Sequence, residues 1–535
     1  MPASSTRRAF VKQASLLLAG AYASPWPRLT AADAASVTAK TATGNIRGTV
    51  LDGINIFKGI PYGGSTAGRN RFMPPTKPTP WTGTREALAY GATAPQAVGR
   101  ARAGVPPEGE DCLVLNVFTP AMTNGRRRPV MVWLHGGGFS YGAGSDLRFE
   151  GSNLARTGDV VVVTVNHRLG VFGYTYLGEA GGSDFALSGG AGMLDIVAAL
   201  EWVRDNIDRF GGDPGLVTIF GQSGGGRKVA TLMAMPGAKG LFHRAIVESG
   251  AVLRLATRED ASHATDLLLA ELGLRKDQIR QLQDVPMAKL LAADAAIASN
   301  VPMREPGYTP NPPTVDGLAI PRHPWEPDAP GLSAAVPLMI GYARTEETLY
   351  DRPTPEALAL DEAGLRRRAS QRLGADPGKV IDAFRAAHPD ATPWDVWILI
   401  ATDHPRGTYA RETAKRKAVQ ASAPAFLYRF DWETPEDGGH MRSPHTVEIP
   451  FVFQNIKTAG PLISKMPEAY ALADKVSAAW VAFARTGSPN VARLPKWPAY
   501  SAARRETMLF NDASRVEQDP DSGPRLAMER ELGLA

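Results

Sequence analysis

Three short runs near the start of the chain, 37–41, 45–50 and 54–60, alternate apolar and polar positions and are split by Gly and Asp. Period-two alternation punctuated by turn residues predicts an antiparallel meander. The Pro- and Gly-rich stretch 61–80 reads as loop. From Leu113 the pattern changes. Segments 130–134 and 160–165 are apolar runs, interrupted only by Thr164, the signature of strands buried on both faces, and an amphipathic helix is predicted from about Asp195 to Phe210. Another buried strand follows at 217–220, with more at 244–247, 337–340 and 425–430. Strands alternating with helices predict an α/β fold with a large, mostly parallel central sheet flanked by helices. Two helix-rich insertions interrupt it, near 255–300 and at 354–421; Thr257 is the expected N-cap of the first, with Glu259 and Asp260 in its first turn. Insertions of this size at strand ends are expected to form the walls of a pocket. No internal repeat or low-complexity linker divides the chain, so residues 36–535 read as one elaborated domain.

Composition changes this picture only at the N-terminus. Thr6-Arg7-Arg8-Ala9-Phe10-Val11-Lys12 is a twin-arginine pattern, followed by a modest apolar run and the small-residue sites Ala21-Tyr22-Ala23 and Ala32-Asp33-Ala34. Residues 1–35 therefore read as a twin-arginine signal for export to a periplasm, too short and Ala-rich for a membrane span. Its removal takes the formal net charge from +5 to +2. With no basic run longer than the Arg126 and Arg366 triplets, a nucleic-acid partner is not expected. The lone Cys112 excludes an intrachain disulfide and a Cys-based zinc site. Beside Glu110 and Asp111, it reads as a small buried residue and not a nucleophile. No metal or cofactor is implied.

The strand at 217–220 breaks into Gly221-Gln222-Ser223-Gly224-Gly225, the one G-x-S-x-G in the chain. That spacing suits a serine on a strained strand-to-helix turn, where a Cβ at Gly221 or Gly225 would collide with backbone. A serine hydroxyl becomes a nucleophile when a base takes its proton and dipoles receive the substrate oxygen's charge. His135-Gly136-Gly137-Gly138-Phe139, directly after a buried strand, is the kind of turn that supplies such dipoles, with His135 as a loop anchor. In such a strand–turn–helix elbow the chain order is nucleophile, acid, base. Among histidines after Ser223, His440 and His445 lie in a loop following the 425–430 strand, and the residues alone do not choose between them. For the acid, Glu346 and Glu347 stand just past the 337–340 strand, one expected on the imidazole and the other in solvent. Asp316, in an Asp-Gly turn, is a weaker candidate.

These residues carry a recognisable resemblance. With Phe57-Lys58-Gly59-Ile60-Pro61-Tyr62, Glu110-Asp111-Cys112-Leu113-Val114-Leu115-Asn116-Val117 and Phe210-Gly211-Gly212-Asp213-Pro214, the chain resembles the type-B carboxylesterase and cholinesterase-like branch of the α/β-hydrolases. Phe483-Ala484-Arg485-Thr486-Gly487-Ser488-Pro489-Asn490 and Trp497-Pro498-Ala499-Tyr500 agree as well. The resemblance implies an α/β-hydrolase fold and a serine carboxylic-ester hydrolase acting on small-molecule esters through an acyl-enzyme. It selects Glu346 and His445, gives Gly137, Gly138 and Gly224 as oxyanion donors, and makes Arg71–Glu110 a structural pair. Amide, carbamate or complex natural-product ester hydrolysis on the same triad is the alternative, and a non-catalytic adhesion homologue a remote one. The chain departs from the family at Gln222 (usually Glu), Gly224 (usually Ala), Lys228 (usually Ser), Glu347 (usually Gly) and Ala94, where the partner of Cys112 would stand. Gln222 removes a negative charge and with it the expectation of cationic substrates. Lys228 reads as a lysine snorkelling from its helix.

Overall fold

The strands follow from the apolar runs, and their pairing makes a single sheet. In chain order they are β1 (Ser36–Lys40), β2 (Asn45–Leu51), β3 (Ile54–Pro61), β4 (Thr84–Glu86), β5 (Val114–Thr119), β6 (Arg128–Leu134) and β7 (Val161–Val165). Then come β8 (Gly212–Gln222), β9 (Arg244–Glu248), β10 (Leu338–Ala343), β11 (Ala425–Phe430), β12 (Glu506–Phe510) and β13 (Arg515–Gln518). The computed structural model describes residues 35–96, 105–123, 125–298, 310–374, 376–463 and 465–534. The twin-arginine segment and its processing sites lie outside them.

The sheet runs β1-β2-β3-β5-β7-β6-β8-β9-β10-β11-β12-β13, with β4 beside β2. From β7 to β12 every neighbour is parallel, while β1, β2, β3 and β5 form an antiparallel flank. In β6 the side chains of Val130, Val132 and Leu134 enter one core and those of Met131 and Trp133 the other. Val217 and Ile219 of β8 likewise face the first core and Phe220 the second. A strand that alternates between two dry cores has no wet face, which is why these runs read as continuously apolar.

The helix expected from Asp195 starts earlier, as α1 (Ala191–Asn206), and gives way to a tight 3-10 turn at Ile207–Phe210. After β8 comes α2 (Gly224–Leu232). The first insertion holds α3 (Arg258–Leu272), capped by Thr257 and Asp260 in a reciprocal capping box, and α4 (Met287–Ile297). The second holds α5 (Glu362–Leu373), α6 (Gly378–Ala387), α7 (Pro393–Thr402) and α8 (Thr408–Gln420). Each insertion packs into a small hydrophobic core shared with the rest of the chain, the first with Phe72, Val171, Phe172, Leu177 and Phe185, the second with Met528. Among the described residues no single helix is long and apolar enough to cross a membrane, although the bent pair Gly178–Phe185 and Ser188–Phe210 passes by length and composition together.

Candidate active site

Ser223 sits between β8 and α2 with φ 58° and ψ −121°, a conformation that costs about 1–3 kcal/mol and persists only where the surroundings impose it. Here backbone imposes it. A Cβ on Gly225 would stand 1.9 Å from the Leu134 carbonyl oxygen, and one on Gly221 2.5 Å from the same atom. The Ser223 amide donates to Glu248 O at 2.8 Å, pinning the turn to the end of β9. Among the described residues its Oγ makes no hydrogen bond.

The loop after β6 comes close to it. Gly137 and Gly138 both have positive φ, 92° and 63°, and Gly136 packs so near that a Cβ there would lie 3.5 Å from Ser223 Cβ. The Gly137 carbonyl is taken by the amides of Ser140 and Tyr141, whereas the Gly137 and Gly138 amides have no backbone acceptor among the described residues. The Gly224 amide opens α2, the positive end of a helix.

Glu346 and His445 come together from the ends of β10 and β11. Glu346 Oε1 accepts the Ala343 amide at 2.8 Å, Oε2 bonds His445 Nδ1, and the His445 amide donates to Glu346 O at 3.3 Å. The two loops are tied beside the pair: the Thr345 amide donates to Ser443 O, and the Ser443 amide donates back to Thr345 Oγ1. Burial pushes His445 below its usual range against the pull of Glu346, so the imidazole is neutral near pH 7. Burial opposes ionisation of Glu346, but its interaction with His445, with Arg406 and Ser249 beside it, prevails and holds its carboxyl below the usual range. Gln222, the residue before Ser223, places its amide nitrogen 3.3 Å from His445 Nδ1 and 3.4 Å from Nε2. Nearly equidistant from the two ring nitrogens, the amide is aimed at neither, so it packs against the ring without fixing its tautomer.

The other candidates lie elsewhere. His440 is exposed in the turn after Gly439, and Asp316 Oδ1 accepts the Leu318 and Ile320 amides of its own turn. Glu347 corrects the expectation of a solvent-facing carboxylate: it is buried, with Arg406 Nε at 3.5 Å and Arg372 Nη2 at 3.7 Å. Opposite charges supplied by the second insertion allow it where the family has glycine. Lys228 corrects a second expectation. Its side chain is wholly buried, and Nζ donates to the carbonyls of His135 at 3.1 Å and Gly138 at 2.8 Å. Snorkelling would bring an ammonium to water, and this one is turned inward.

Two neighbours escaped the sequence reading, Glu248 at the end of β9 and Glu448, three residues past His445. Both are fully buried; burial pushes Glu248 up to about 8, and burial together with Glu346 and Glu248 raises Glu448 well above the carboxylate range. Trp480 Nε1 donates to Glu248 Oε1 at 2.7 Å, and Ser249 Oγ donates to Glu448 Oε1 at 3.0 Å. Of the three clustered carboxyls, Glu346 is the one held below the usual range, and it is the one bonded to the imidazole. The available signal was a glutamate closing the apolar run Ala245-Ile246-Val247.

Further out, Arg71 grips Glu110 through two bonds of 2.8 and 2.6 Å and donates to the carbonyls of Leu282 and Val285, docking the first insertion. Cys112 is buried and its thiol pushed up by burial. Among the described residues no group of three or more His, Cys, Asp and Glu could hold a metal ion. A cleft of about 420 Å³ is lined by Thr345, Thr348, His388, Trp394 and Arg442 among others. Ser223, His445 and the glycines are not among its walls.

The model of the carboxylesterase family matches residues 34–373 and 394–524. The chain is 36% identical to the para-nitrobenzyl esterase of Bacillus subtilis (strain 168) over 498 residues, covering 91% of this chain and 97% of that one. It is 33% identical to the phenmedipham hydrolase of Pseudarthrobacter oxydans, covering 89% and 95%. The crystal structure of the Geobacillus stearothermophilus carboxylesterase EST55 at pH 6.2 superposes with a TM-score of 0.81 at 38% identity, covering 92% and 99%.

Proposed function

Because the chain belongs to the carboxylesterase family and is therefore an ester hydrolase, we propose that it cleaves carboxylic esters in two acyl transfers carried by Ser223, His445 and Glu346. The observation that carries this reading is the buried Glu346–His445 Nδ1 bond, which holds a neutral imidazole beside the Ser223 turn. With Nδ1–H on Glu346, Nε2 keeps its lone pair for the serine proton. As Ser223 attacks the ester carbonyl, His445 takes that proton and the substrate oxygen becomes an oxyanion. The amides of Gly137, Gly138 and Gly224 receive it. The imidazolium then protonates the leaving alcohol, and water, activated by the same imidazole, releases the acid and restores Ser223. Removing one such donor costs about 10²–10³ in kcat.

Ser223→Ala is expected to abolish hydrolysis of a p-nitrophenyl ester while leaving the unfolding temperature unchanged, and a fluorophosphonate should label Ser223 in the unaltered protein. Hydrolysis by a folded Ser223→Ala protein overturns the assignment. Rates on matched ester and amide substrates separate ester from amide or carbamate hydrolysis, and esters of rising acyl length beside bulky-alcohol esters map the preference.

A further inference from the structure

Lys228 lies five residues past Ser223, on α2 and against the loop after β6. Taking an amine out of water is costly unless acceptors replace its hydration. Its two acceptors, His135 O and Gly138 O, bracket a single turn. The His135 carbonyl belongs to the peptide just before the one that carries the Gly137 amide. The Gly138 carbonyl belongs to the peptide just after the one that carries the Gly138 amide. Nζ also stands 5.3 Å from the centre of the Phe139 ring. Burial and the neighbouring Arg227 push the ammonium down to about 7. The clamp does not depend on that proton, since a neutral amine keeps two N–H groups for two carbonyls.

Gly224 touches the same turn. A Cβ there would meet Gly138 O at 2.1 Å and Gly138 Cα and N at 2.5 Å. The carbonyl that Lys228 holds thus occupies the space an alanine methyl would need. Glycine for alanine and lysine for serine, separate departures in the sequence, converge on one atom of the structure.

We propose that Lys228 is a positioning residue of the oxyanion loop: it clamps the peptides on either side of the Gly137 and Gly138 donors and holds the Gly138 carbonyl against Gly224, which only glycine permits. The proposal rests on the reading of Ser223 as nucleophile and deepens it.

The test uses the full chain with p-nitrophenyl acetate, comparing Gly224→Ala, Lys228→Ser and the double variant. Lys228→Ser should lower kcat about 10- to 100-fold, less than outright loss of a donor, with KM within about twofold. Gly224→Ala alone should lower kcat further. In the double variant the Gly138 carbonyl is free to turn, so the alanine should cost no more than about threefold beyond Lys228→Ser, a coupling that separate roles cannot give. Losses that multiply would overturn the proposal, and so would a Lys228→Ser protein with unchanged kcat and a lowered unfolding temperature. Should Lys228→Ser fail to fold, Lys228→Met carries the same two outcomes. Fluorophosphonate labelling keeps the two readings apart. An unaltered protein that neither labels at Ser223 nor hydrolyses the ester sinks the nucleophile reading and this one with it; a labelled protein with multiplying losses sinks this one alone.

Discussion

Glu346→Gln swaps one atom for another and leaves shape intact, so its effect isolates charge and tautomer. In the native site Oε1 accepts the Ala343 amide and Oε2 faces His445 Nδ1. A glutamine that keeps its oxygen on the Ala343 amide turns its NH₂ to Nδ1, driving the imidazole proton to Nε2, where it blocks transfer from Ser223. The flipped amide restores the tautomer but sets N–H against N–H at Ala343, leaving a buried donor unpaired at about 1–3 kcal/mol. The working form is thereby a minor one. The variant also loses the anion that stabilises the imidazolium, about 4 kcal/mol for charges 4 Å apart at an effective dielectric of 20. These effects overlap, because the flipped form still offers the imidazolium an amide dipole. The expected fall in kcat for p-nitrophenyl acetate is about 10³- to 10⁴-fold, with little change in KM. Thermal unfolding checks that the fold survives. A folded Glu346→Gln enzyme within tenfold of the native kcat would refute the role given to this carboxylate.

The other predictions concern pH. Gln222→Glu sets a carboxylate against His445, which favours the imidazolium and raises its pKa, so the acid limb of kcat/KM against pH should move up by about 1–2 units. An unmoved limb would mean that residue 222 does not sense the ring. Glu248 takes up its proton in the folded state at about 8, well above its usual 4.5, so folding binds a proton across that window and stability falls as pH rises through it. Glu248→Gln, which keeps an acceptor for Trp480, should flatten the fall in unfolding temperature from pH 5 to pH 8 by the equivalent of up to about 3–4 kcal/mol. Equal slopes in both proteins would place the titration elsewhere.

Legibility followed the distance over which each feature is decided. The parallel strands could be read because both their faces are dry. β5 was harder to read because Asn116 interrupts it; that amide is satisfied inside, accepting the Gly59 amide and donating to Thr164 Oγ1. β12 opens on a buried Glu506 that Ser501 and Arg504 partner. The Ser223 elbow was visible because glycine spacing states a local steric need. Choosing Glu346 over Glu347 and His445 over His440 needed the resemblance, since adjacent residues diverge according to what packs on each. Glu347 is decided by Arg406 and Arg372, and Lys228 by a loop some ninety residues earlier. No window of sequence around either residue contains its partner.

At the elbow, Gly221 and Gly225 rest directly on the Leu134 carbonyl with no side chain between them. Main chain against main chain offers natural variation nothing to trim or enlarge. The small cores under the two insertions do not include that contact. A side chain at either glycine would have to move backbone, whereas positions 222, 224 and 228 beside them carry the residues in which this chain departs from its family.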